Sequence, residues 1–179
     1  MKLYITRHGQ TDWNLNKVIQ GKTDIALNET GRTQARVIQA ELSSVKLDYI
    51  FSSPLIRAVE TAQIINEGHQ LTIHCDERLS ERGFGDFEGS AIADFDFCGF
   101  WNKEKENEFP SCEKTTDFFN RVYSFIDECK SKYYDKTILV VAHGGVSLPF
   151  YAYAHEIVND HDMRKYMLNN CEVAYYELV

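Results

Sequence analysis

The amino-acid sequence predicts a layered α/β fold, and three observations carry that prediction. Short apolar runs of strand length alternate with longer stretches of helical spacing. The run Thr137-Ile138-Leu139-Val140-Val141-Ala142 is continuously apolar, as a central strand covered on both faces is. No repeat or linker interrupts the alternation, and 179 residues with 44% hydrophobic content supply one substantial core, so a single domain over residues 1–179 is expected.

Taken in order, residues 2–6 (Lys2-Leu3-Tyr4-Ile5-Thr6) form a first buried strand that runs into Arg7-His8-Gly9. Asn28 is an N-cap, and Ala35, Ile38 and Leu42 mark one face of a helix over 29–43. Leu47-Asp48-Tyr49-Ile50-Phe51 is a second strand; Ser53-Pro54 then starts a helix, with serine as cap and proline in the first helical position, which sets Arg57 in its first turn. A short strand falls near Leu71–His74. From Arg82 to Ser111 the chain is rich in Gly, Asp, Glu and aromatics without periodicity, so 82–111 is expected to be an insertion over the sheet that acts as a lid. Phe118, Val122, Phe125, Ile126 and Cys129 mark the next helix; the strand 137–142 ends at His143-Gly144-Gly145; a last helical region over 146–167 leads to a final strand within 171–179.

Charge narrows the function classes. Twenty-seven acidic against 19 basic side chains give a net charge of -8, which repels phosphate backbones and anionic lipid, so neither nucleic acid nor a membrane is expected as a partner. An anionic ligand needs a locally basic pocket. The N-terminus is charged too early for a signal peptide and no run reaches spanning length, so a cytoplasmic location is expected. The five cysteines, Cys75, Cys98, Cys112, Cys129 and Cys171, have no C-x-x-C pair and are expected to be buried thiols rather than a disulfide framework or zinc site. Cysteine-dependent phosphatases carry arginine six residues after the nucleophile; here those positions hold Glu81, Glu104, Phe118, Asp135 and Glu177.

The two most hydrophobic strands each end in histidine followed by glycine. Ligands of open α/β sheets bind at the carboxyl ends of the strands, so His8 and His143 are expected to share one location. A strand-end histidine met alone is more often a surface or capping residue. Arg57, Glu81 and Asn14, met alone, are more often a solvent-facing helix arginine, a turn carboxylate and a helix cap.

Five blocks in order change that balance: Arg7-His8-Gly9-Gln10-Thr11-Asp12-Trp13-Asn14; Gln20-Gly21 with Leu27-Asn28-Glu29-Thr30-Gly31-Arg32; Ser53-Pro54-Leu55-Ile56-Arg57-Ala58-Val59-Glu60-Thr61-Ala62; Leu79-Ser80-Glu81 with Gly85-Asp86-Phe87-Glu88-Gly89; and Val141-Ala142-His143-Gly144-Gly145-Val146. Over nearly its whole length the chain resembles the histidine phosphatase superfamily, also called phosphoglycerate mutase-like. The resemblance implies a three-layer sandwich with a mostly parallel central sheet flanked by helices. It implies a phosphomonoesterase in which His8 is the nucleophile, Arg7, Arg57 and His143 supply positive field, Glu81 is the proton donor, and Asn14, Gln20, Gly21 and Gly144 contact the phosphate. It implies a small phosphorylated substrate, with no metal and no cofactor, and leaves the oligomeric state open.

The residue types suit that chemistry. Phosphate oxygens repel a nucleophile until they are neutralised, and arginine presents a fixed fork of donors that keeps its proton. His8 must attack as neutral imidazole, which neighbouring arginines favour, with its other ring nitrogen expected to donate to a backbone carbonyl. Glu88 is left outside the site, as a residue that orders the lid.

Other chemistries leave broken traces. Asp94-Phe95-Asp96 lacks the apolar strand of an aspartyl-phosphate site, Gly145-Val146-Ser147-Leu148-Pro149 lacks the last glycine of a serine-hydrolase elbow, and neither His69 with His74 nor His155 with His161 makes an H-E-x-x-H. Mutase-type phosphoryl transfer and a non-catalytic phospho-ligand module are the alternatives; the short chain and Gly85-Asp86-Phe87-Glu88-Gly89 favour a phosphatase. Ser147-Leu148-Pro149 departs from the family, where an apolar residue and an arginine follow the second histidine block. Seven aromatics, Phe84, Phe87, Phe95, Phe97, Phe100, Trp101 and Phe109, are expected either to line an apolar entrance or to form the lid's own core.

Overall fold

The computed structural model describes residues 1–157 and 163–178. Strands Lys2–Arg7 (β1), Tyr49–Ser52 (β2), Ile73–Cys75 (β3), Thr137–Ala142 (β4) and Val173–Glu177 (β5) form one sheet in the order β3-β2-β4-β1-β5. All neighbours are parallel except β5, which runs antiparallel to β1. Among the described residues six α-helices accompany them: Asp12–Leu15 (α1), Glu29–Leu42 (α2), Ile56–Asn66 (α3), Phe97–Phe100 (α4), Thr115–Lys132 (α5) and Gly144–Ala154 (α6).

The apolar run of β4 is explained by cover on both faces. Ile138, Val140 and Ala142 join Leu3, Ile5 and Phe51 in a core with α5 and α6, while Leu139 and Val141 join Ile50, Ile38, Leu42, Ala58, Ala62 and Ile65 in a second core with α2 and α3. Residues 138–142 are fully buried, and each Ile, Leu or Val side chain among them contributes about 1.5–3 kcal/mol by leaving water. The sandwich is therefore three layers, with the histidine-bearing strands in its middle.

α2 starts where its cap predicts, Asn28 accepting from Gly31 N. α3 does not: it begins at Ile56 behind Leu55, two residues after the expected cap. The Ser53 hydroxyl still accepts from Leu55 N at 3.3 Å, but its shorter contact, 2.7 Å, is with the ring of His143. The expected helix over 146–167 is also divided. α6 ends at Ala154 and a 3-10 turn occupies Met163–Tyr166; residues 158–162, with His161, lie outside the described residues.

Segment 82–111 contains three 3-10 turns besides α4, and aromatic contacts join them. Phe84 and Phe100 stack at 4.2 Å between centroids, and Phe95 lies within 5.5 Å of Phe84, Phe87, Phe97, Phe100 and Phe109. Arg82 is fully buried beneath them, its guanidinium 3.5 Å from the Phe100 ring centre. It donates to Phe100 O and Glu113 O, and burial lowers its pKa to about 10. The cysteines are all free; of the expected buried thiols only Cys129 is buried, while Cys75 and Cys98 are exposed. No helix among the described residues is long and apolar enough to cross a membrane.

Candidate active site

The register of β1 and β4 pairs Arg7 with Ala142, so the next residue of each strand, His8 and His143, emerges at the same end of the sheet. His8 N donates to Ala142 O, and the two rings meet edge to face at 5.2 Å. Both are nearly inaccessible, at 2% and 1% exposure.

His8 is held from three sides. Its Nδ1 lies 2.7 Å from Gly9 O, so Nδ1 carries the hydrogen and the Nε2 lone pair is left for other work. Gly9 N donates to Thr61 Oγ1, which itself donates to Arg57 O, tying the loop to α3. Asn170 Nδ2 donates to His8 O from just before β5. Gly9 is required by packing: a Cβ there would sit 2.4 Å from Gly31 O. The His8 pKa lies well below the ordinary 6.5, first because of burial, then because of Arg57 and Arg7, against the Gly9 bond. The arginines thus take second place to burial in keeping the ring neutral.

Arg57 leaves the first turn of α3, is 1% exposed, and donates Nη1 to Thr23 O and Nη2 to Gly21 O, both at 2.8 Å. Burial lowers its pKa to about 10, which still leaves it charged at neutral pH. Arg7 donates Nη1 to Leu168 O at 3.1 Å. His143 caps α6 with Nε2 2.7 Å from Ser53 Oγ, and burial, then Arg57, lowers its pKa well below 6.5. Arg7 Nε, Arg57 Nε and His143 Nδ1 are buried and have no partner.

Glu81 enters from the side. Its Oε1 accepts from Arg82 N at 2.9 Å and its Oε2 from Gly145 N at 3.0 Å. That approach needs glycine, because a Cβ on Gly145 would lie 2.3 Å from Oε1 and 2.7 Å from the Trp101 ring.

A cavity of about 220 Å³ brings these groups together. Arg7, His8, Arg57, Glu81, Asn14, Gln20, Gly21 and Gly144 all line it, so eight of the nine sequence-predicted residues meet at one surface, with His143 directly behind His8. Asn14 lines the cavity and, as the third residue of α1, completes a capping box with the N-cap Thr11. The Gln20 side chain accepts from Thr11 Oγ1. Of the seven aromatics, Phe84, Phe97 and Trp101 line the cavity, so the segment serves as wall and as small core at once.

Several contributors carry weak or no sequence signal. Glu88, set aside from the sequence, accepts from Lys22 N, Thr23 N, Thr23 Oγ1 and Phe84 N. It shapes the turn at Gly21, whose φ is +51° and where a Cβ would lie 2.1 Å from Glu88 Oε1, and that turn presents the carbonyls that hold Arg57. Ser53 and Thr61 stand inside the quoted blocks without an assigned role. Met167, Leu168 and Asn170 have no motif at all. Among the described residues no three His, Cys, Asp or Glu side chains are grouped as a metal site.

A parallel sheet that presents a buried histidine pair and two arginines at one end, with a carboxylate at their side, defines a class of phosphate-handling proteins. The chain belongs to the histidine phosphatase superfamily (branch 1), whose model matches residues 3–178. It is 38% identical over 140 residues to the uncharacterized phosphatase PhoE of Bacillus subtilis, covering 78% of this chain and 70% of that protein. It is 38% identical over 153 residues to putative phosphoserine phosphatase 2 of Hydrogenobacter thermophilus, covering 80% and 73%. The alpha-ribazole phosphatase of Shigella flexneri superposes with a TM-score of 0.82 at 27% identity, covering 98% of this chain and 89% of that one.

Proposed function

We propose that the protein hydrolyses small phosphomonoesters through a phosphohistidine on His8, without a metal or cofactor. The observation that carries this reading is the set of unpartnered buried nitrogens, Arg7 Nε, Arg57 Nε and His143 Nδ1, on the side chains around a histidine whose Nδ1 is already committed. Buried donors without acceptors are costly, and a bound phosphate supplies the acceptors.

His8 Nε2 attacks phosphorus, the P–O bond breaks, and the leaving oxygen takes a proton from Glu81. Arg7, Arg57 and His143 hold the phosphoryl oxygens as charge redistributes. Water then attacks phosphorus, Glu81 takes its proton, and the N–P electron pair returns to Nε2. Each Glu81 oxygen accepts one backbone N–H and keeps a second lone pair for that proton. Neutral His143 that accepts the Ser53 hydrogen at Nε2 carries its own on Nδ1, which is buried and without a partner.

The lining also supports a substrate class. Arg7 and Arg57 are the only lysine or arginine residues among those lining the cavity, and the rest of its wall is largely Val18, Ile19, Phe84, Ile92, Phe97, Trp101 and Met167. An uncharged, apolar remainder fits it better than the ammonium and carboxylate of phosphoserine. Residues 82–111 then act as a lid by contributing that apolar wall. Purified protein assayed with para-nitrophenyl phosphate in EDTA should turn over and give an acid-labile phosphoryl adduct. His8→Ala should lose both, with turnover down on the order of 10⁴-fold or more. Undiminished activity in that variant sinks the mechanism; an adduct without turnover moves the assignment to mutase-type transfer.

A further inference from the structure

Ser147 stands where this chain departs from its family, and the mechanism above does not use it. It is 1% exposed on the first turns of α6. Its hydroxyl donates to Gly144 O at 2.6 Å and accepts from Leu168 N at 3.1 Å. The carbonyl of that same Leu168 accepts from Arg7 Nη1 at 3.1 Å. One hydroxyl thus holds the N–H of the residue whose carbonyl, in the next peptide unit, holds the guanidinium.

We infer that Ser147 is a positioning residue for Arg7, acting through Leu168, and so sets the affinity of the site for phosphate. This rests on the reading that Arg7 binds the phosphoryl group. Three features support it. Arg7 leaves the end of a strand, and the Leu168 carbonyl holds its fork while Nε stays unpartnered for a ligand. Leu168 lies in the strap between the Met163–Tyr166 turn and β5, outside regular structure, so its peptide orientation is set by what it bonds to. The neighbouring Met167 packs 3.1 Å from where a Cβ on Gly144 would stand, and both line the cavity, so the Ser147 bridge joins two parts of one wall. A hydroxyl is suited to the place because it donates once and accepts at the same time. An apolar residue at 147 leaves the buried Leu168 N–H without its acceptor, so that Leu168 can shift as a residue and carry its carbonyl with it.

A residue that merely stabilises α6 would make the same bond to Gly144, so the test must read phosphate rather than stability. Inorganic phosphate binding is measured by titration calorimetry for the wild type, Ser147→Ala, Arg7→Lys and the double variant, with melting temperature and para-nitrophenyl phosphate kinetics alongside. Ser147→Ala is expected to weaken phosphate about tenfold and to raise KM more than it lowers kcat. In the Arg7→Lys background the same change is expected to alter phosphate affinity less than about twofold, because its route of action is already gone. Ser147→Cys, nearly equal in volume and a weaker hydrogen-bonding group, should fall between wild type and alanine, and it takes the place of alanine if that variant does not fold. A lowered melting temperature with unchanged phosphate affinity, or equal weakening with and without Arg7, overturns the inference. Absent turnover in a wild type that binds phosphate counts against the hydrolase reading alone, and the binding data still decide this one.

Discussion

On the floor of the cavity, Arg7, His8 and Arg57, with His143 behind His8, stand on strand ends and the first turn of a helix, and directional bonds to carbonyls or hydroxyls fix each of them. Along the other wall, Phe84 and Trp101 stand beside short turns, Phe97 opens the four-residue α4, and aromatic faces and the buried Arg82 hold the group together. Hydrogen bonds fix angles, whereas apolar packing fixes volume and tolerates exchange. The floor is therefore built to hold one atomic arrangement, and the wall to hold a shape. Under the proposed function the first decides the chemistry and the second decides the leaving group.

The largest effect that tests this division lies where the two meet, at Glu81. Glu81→Gln should lower kcat/KM, which reports transfer to His8 and not the later hydrolysis, by about 10² to 10⁴ for an alkyl phosphate, and much less for para-nitrophenyl phosphate, whose leaving group departs without a proton. Equal losses on both substrates would break the assignment of Glu81 as acid. A smaller effect is expected on the wall itself. Phe97→Ala, at a partly exposed lining position, should lower kcat/KM for an aryl phosphate about tenfold while changing that for phosphoserine little. A uniform loss across substrates would show that the wall supports the floor rather than selecting the ligand.

The mildest effect concerns pH. His8 and His143 have folded-state pKa values well below the ordinary 6.5, so the unfolded chain binds protons that the folded chain refuses. Their contribution to stability is full above about pH 6.5 and is lost as the pH falls toward the folded values. Thermal midpoints at pH 7.5 and 5.5 should show a drop on acidification that is smaller in His8→Asn. A variant with the same drop would remove His8 from the floor's electrostatic account.

Legibility follows the same divide. β4, α2 and α5 were legible because periodicity and caps are local properties, and the histidine pair because each member ends an apolar run. The α3 boundary was misplaced because Ser53-Pro54 has the composition of a cap, yet Ser53 turns to a histidine 90 residues away. Glu88 is left outside the site as a residue that orders the lid, and it does not line the cavity; its bonds to Lys22 N and Thr23 N are ones that no side-chain pattern announces.

The sequence by itself determined the strand and helix order, the chemistry-bearing residue types and, through five ordered blocks, the family. Only the tertiary structure decided how those side chains are aimed. Asn170 reaches the His8 carbonyl across 162 positions with its side-chain amide, and the Leu168 carbonyl reaches Arg7 across 161. Such bonds depend on which backbone carbonyls the sheet order brings within hydrogen-bond reach, and β5 returning beside β1 is what brings these.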